Sequence, residues 1–201
     1  MIKYLSNKIA SQVAESDVTA DQEIIAYGFE ILLQEAGIVV IAALIALPFG
    51  LLPYVLAALV SYNLIRQFSG GAHSASRAVC MIFSVFLLYG ISFLSARTGL
   101  SIPLAVVFLL YVFNVSLLLL YAPADTEIKP IQEPETRKKL KASAIASVTL
   151  CFLVAVLTKS RWEGISNVLL LIPTLATCTT HPIAYKLFGC EKSKMTTEVS
   201  Q

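Results

Sequence analysis

The 201-residue chain is 57% hydrophobic and only 14% charged, with a formal net charge of +2 and a mean hydropathy of +0.76. An ordinary soluble core cannot absorb so much apolar sequence, so the composition predicts an integral membrane protein and excludes a soluble domain. The small positive charge, scattered in short loops rather than along one face, argues against a nucleic-acid partner.

In chain order, Ile2, Leu5, Ile9 and Val13 recur at helical spacing among polar residues. This pattern predicts an amphipathic interfacial helix over residues 1–16 lying on the membrane surface. Four acidic residues between Glu15 and Glu23 interrupt any export-signal core, so this segment is expected to stay in the mature protein. Thr19 and Gln22 resemble a capping box opening a second helix, whose apolar second half runs to "PFGLLP", residues 48–53. That turn leads into "YVLAALVSYNLI" and then the hinge "RQFSGGAHSASRAVC", residues 66–80. Further apolar runs cover Ala78–Ala96, Thr98–Ala122, Ala142–Thr158 and about Gly164–Tyr185, with a polar loop at residues 121–141 between the second and third of these. The expectation is an all-α polytopic membrane protein forming one domain over residues 1–201, with about six transmembrane helices. Placing the N-terminus in the cytoplasm leaves only Arg97, Lys159 and Arg161 outside, against twelve basic residues inside. The positive-inside rule therefore predicts that both termini, the hinge and the 121–141 loop are cytoplasmic.

The hinge concentrates the chemistry. A cysteine acts as a nucleophile through its thiolate, and a neighbouring histidine can take the proton, which makes His73 and Cys80 candidate catalytic residues. In one continuous helix a seven-residue spacing separates them by about 10 Å along the axis, so contact requires the backbone to fold back. Gly70 and Gly71 make that possible. Cys80 is then expected in the first turn of the third span, where the helix dipole also favours a thiolate. Cys151, mid-span, reads as apolar packing. One alternative is a zinc site formed by His73, Cys80, Cys178 and His181; another is a transporter or scaffold without catalysis. The predicted spans from Ala78 onward carry no charged residue other than the boundary Arg97, which speaks against transport. No cofactor is expected on the catalytic reading.

These residues resemble the accessory gene regulator protein B (AgrB) family, membrane cysteine endopeptidases of Gram-positive quorum sensing. The resemblance rests on Arg66, Gly70-Gly71-x-His73 and Cys80, and on "YAPADTEIKP", residues 121–130. It implies cleavage of the C-terminal tail of a small AgrD-like precursor peptide and its closure to a thiolactone or lactone. Cys80 would be the nucleophile and His73 the general base, with Arg66, Gly70 and Gly71 supporting them. The resemblance also implies a homodimer in the cell membrane. Arg66 is expected to dock the precursor's acidic tail or to act as a positive-inside anchor. Asp125 is a candidate third member that would orient His73, the alternative being a solvated loop.

Overall fold

In the computed structural model, the described residues are 11, 22–72, 77–124 and 133–188; over 77–84 and much of 22–38 the description is of the backbone. The predicted surface helix of residues 1–16 lies outside them apart from Ser11, which is helical. The chain forms two compact units, Met1–Phe49 and Gly50–Gln201. The first holds α1, Gln22–Ala46, followed by a 3-10 turn at Leu47–Phe49.

The second unit is a helical bundle. It contains α2 (Leu52–Ser69), α3 (Arg77–Arg97), α4 (Leu104–Tyr121), α5 (Pro134–Thr158), α6 (Glu163–Cys178) and α7 (Pro182–Phe188). Prolines mark where helices start: Pro53 and Pro134 sit in the first turns of α2 and α5, and Pro103 precedes α4. At a helix start the missing N–H has no intrahelical partner to lose. Packed against α2, α3, α4 and α5, α6 is the central rod. Its Leu170 and Ala176 belong to a buried cluster with Ile65 of α2, Leu118 of α4 and Val148, Phe152 and Ala155 of α5.

The distribution of polarity is that of a bundle in an apolar solvent. Phe108, Leu109, Leu120, Leu150 and Leu157 point outward, whereas Asn114, Thr177 and Thr180 are fully buried. With no hydrophobic force between helices in lipid, close packing and interhelical hydrogen bonds hold them together. Asn114 of α4 donates through Nδ2 to Thr174 Oγ1 of α6 at 2.9 Å and accepts from Thr177 Oγ1 through Oδ1.

Among the described residues, α4 and α5 are long and apolar enough to cross a membrane. A third span results if α6 and α7 are counted together, although they are bent by 78° at their break. Shorter apolar stretches occupy Val39–Phe49 and Val85–Arg97. Two boundaries differ from the sequence expectation. The last apolar run does not continue straight to Tyr185: α6 ends at Cys178, and the chain turns before α7 because Pro182 cannot extend the ladder. The polar loop is also shorter than expected, since "PETRKKLK" is the first part of α5; Pro134 and Glu135 suit its first turn, and Arg and Lys are good helix formers.

Candidate functional site

Strand-like backbone from two loops meets at one end of the bundle. α2 ends where Gly70 takes φ 65°, and Gly71 follows at φ 129°, conformations that side-chain-bearing residues avoid. Gly70 forms an isolated parallel bridge with Ala124, just beyond the cis Ala122–Pro123 bond that follows α4. The Gly71 N–H donates to the Ala124 carbonyl at 2.9 Å, and the Ala124 N–H donates to the Ser69 carbonyl at 2.8 Å. A Cβ on Gly70 would collide with that Ala124 carbonyl. One on Gly71 would stand 2.5 Å from Arg66 Nη1 and 2.6 Å from Thr179 Oγ1. The double glycine is thus required by close approach as well as by backbone angle.

The third component is the turn between α6 and α7. The Ala72 N–H donates to the Thr179 carbonyl at 2.9 Å. Arg66 spans the gap: Nη1 donates to Thr179 Oγ1 and Nη2 donates to the Ala72 carbonyl at 2.6 Å. Its guanidinium carbon lies 5.9 Å from the centroid of the Tyr62 ring, one turn back on α2. Below this knot, α7 brings the buried Tyr185 against Ala72 and Ala124. His181 packs its ring on Tyr121 with centroids 5.0 Å apart, and its Nδ1 accepts the Ile183 N–H at 3.2 Å. Basic residues of α5 tie down the end of α4, Lys141 Nζ donating to the Leu119 carbonyl at 2.8 Å and Arg137 Nη2 reaching the Pro123 carbonyl at 3.4 Å.

The structure therefore brings together Arg66, Gly70 and Gly71 from the hinge with Tyr121–Ala124 from the second sequence motif. Cys80 is the fourth residue of α3, and the helix is broken between Arg66 and Cys80. His73 and Asp125 lie outside the described residues, as does the side chain of Cys80. Of the alternative zinc ligands, Cys178 closes α6 and is half-buried, while His181 uses Nδ1 to cap α7. Sequence reasoning missed Thr179: "TCTTHP" offers a polar run at the end of an apolar helix, but nothing in it singles out one threonine.

The family model described as Accessory gene regulator B matches residues 2–180. An AgrB-like protein of Clostridium perfringens is 28% identical over 166 residues, covering 79% of this chain and 77% of that relative. The accessory gene regulator protein B of Staphylococcus lugdunensis is 31% identical over 115 residues, or 56% of this chain and 58% of that protein. That of Staphylococcus aureus is 27% identical over 158 residues, with coverages of 79% and 81%. No solved structure matches. With the match extending through the hinge, the bundle and the Thr179 turn, the chain belongs to the accessory gene regulator B family.

Proposed function

We propose that this chain is a membrane-bound cysteine endopeptidase that processes the precursor of an autoinducing peptide in an accessory gene regulator quorum-sensing system. It removes the C-terminal tail of an AgrD-like precursor and closes the remainder to a thiolactone or lactone. The observation that carries this reading is the break in the helix between Arg66 and Cys80, made by two positive-φ glycines pinned to Ala124. Without that break His73 and Cys80 would stand on one rod, too far apart along its axis to exchange a proton.

In the proposed reaction His73 takes the Cys80 proton, and the thiolate attacks the scissile carbonyl carbon of the precursor. The new S–C bond forms as the C–N bond breaks, and the imidazolium returns its proton to the departing tail amine. Where the product is a thiolactone, an internal thiol of the peptide then attacks the acyl carbon, the bond from that carbon to the Cys80 sulfur breaks, and the thiol's proton passes to Cys80. One thioester replaces another, so ring closure costs little free energy, provided water is kept from the intermediate. The protein is proposed to place this chemistry at the cytoplasmic face of the cell membrane, with six spans, and to act as a homodimer.

Co-expression with the precursor and mass spectrometry of the products tests the reading. Cys80→Ala and His73→Gln should each lower cleavage by roughly 10³-fold or more. Cleavage that survives Cys80→Ala would leave a scaffold or transporter as the better account.

A further inference from the structure

We propose that Thr179, in the turn between α6 and α7, is a positioning residue for the catalytic hinge, and that Arg66 works by holding the hinge to it. The inference rests on the peptidase reading above and adds to it a residue from the far end of the chain.

The hydrogen bonds close a ring around Ala72, the residue before His73. Arg66 Nη2 donates to the Ala72 carbonyl, the Ala72 N–H donates to the Thr179 carbonyl, and Arg66 Nη1 donates to Thr179 Oγ1. Both polar groups of the Ala72 backbone are thereby fixed, one directly by Thr179 and the other through the guanidinium. The Thr179 hydroxyl has a single proton, and it is committed to the Ala176 carbonyl at 2.7 Å. Its lone pairs are therefore presented to Arg66, as an acceptor of fixed direction. Arg66 suits the role because a planar guanidinium satisfies two acceptors at once, whereas an ammonium is a single point charge. The contact also explains why Gly71 lacks a side chain, since a Cβ there would strike the Arg66 and Thr179 atoms that form the bond.

The test compares Thr179→Val, which keeps the shape and loses the hydroxyl, with Thr179→Ser, which keeps it. Each variant is made in the full chain, and precursor cleavage is measured in membranes. Thr179→Val should lower kcat by roughly 10-fold to 100-fold, the range expected when a reacting group is displaced by about 1 Å, with KM unchanged. Thr179→Ser should restore most of the loss. Arg66→Lys should give a kcat defect at least as large, and Arg66→Lys with Thr179→Val should be no worse than Arg66→Lys alone, because the bond between Arg66 Nη1 and Thr179 Oγ1 is already lost in that variant. A second readout needs no substrate: alkylation of Cys80 at pH 7, followed on its own peptide, should slow in Thr179→Val toward the rate of an ordinary thiol, which is only a few per cent ionised. Detergent extraction and thermal melting separate this from misfolding. If Thr179→Val does not extract, Thr179→Ala carries the same comparison, and an alkylation rate matching that of the unaltered protein in Thr179→Ala overturns the proposal. Unchanged kcat in Thr179→Val also overturns it, as does a rise in KM alone, which would favour tail docking by Arg66. Retained cleavage in Cys80→Ala would instead overturn the peptidase reading itself.

Discussion

Gly70 and Gly71 differ in kind from the glycine at 90. Gly90 lies within α3 with nothing inside 4 Å of where a Cβ would stand, so Gly90→Ala should be neutral or slightly stabilising through its better helix propensity. Gly71 at φ 129° has neither the angle nor the space for a side chain. Strain of about 1 to 3 kcal/mol is expected there before any clash is counted, which for a chain of this size lowers the melting temperature by roughly 2 to 12 °C. The expected outcome for Gly71→Ala is a lower melting temperature in detergent together with loss of cleavage. For Gly90→Ala, neither should change. Equal behaviour of the two variants would mean that the positive-φ hinge is not what the second unit depends on.

The elements are joined by polar contacts in their interior, and Asn114 is the test of that arrangement. It is fully buried, and its amide serves Leu110 of its own helix as well as Thr174 and Thr177 of α6. Asn114→Leu should cost about 1 to 2 kcal/mol of unfolding free energy, the range measured for interhelical hydrogen bonds in model transmembrane helices. Thr177 limits the loss, because its hydroxyl also lies within 3.0 Å of the Pro173 and Thr174 carbonyls and can turn back to its own helix. Reversible unfolding in mixed detergent would measure it, and an unchanged free energy would show that the α4–α6 contact rests on packing alone. This contact also marks how far the sequence could be read. The helical positions and the break at Gly70-Gly71 were legible, because apolar runs and glycine pairs are local signals. The start of α5 was not, since "PETRKKLK" resembles a solvated loop until it is seen to continue an apolar helix, with Lys141 reaching the end of α4. Thr179 was illegible for another reason: its role depends on a partner 113 residues away, Arg66, and no periodicity encodes that distance.

At the scale of the whole molecule, the remaining question is which way the bundle faces. Within the second unit the ends of the helices separate cleanly. The hinge, the Ala124 loop, the start of α5 and the Thr179 turn share one end, as their hydrogen bonds require. The other end holds Lys159, which donates to the Ile102 carbonyl, and Asn167, which donates to the Leu100 carbonyl at 2.6 Å. Arg66, Arg77, Arg137, Lys138, Lys139, Lys141 and Lys186 belong to the first end, and Arg97, Lys159 and Arg161 to the second. Such an excess of Lys and Arg is retained in the cytoplasm during insertion. Single cysteines at the exposed positions Glu135 and Ser160, in a background lacking the natural cysteines, would report the orientation. Ser160→Cys should react with a membrane-impermeant maleimide in intact cells, and Glu135→Cys only after lysis. The opposite pattern would put the hinge outside the cell, where a precursor made in the cytoplasm could reach it only after export. Replacing Arg137, Lys138, Lys139 and Lys141 together by Gln should then produce a mixed population, with some Glu135→Cys labelled before lysis. An unmixed population in that variant would mean that orientation is set by charges outside α5, and that the basic turn of α5 serves chiefly to hold the end of α4.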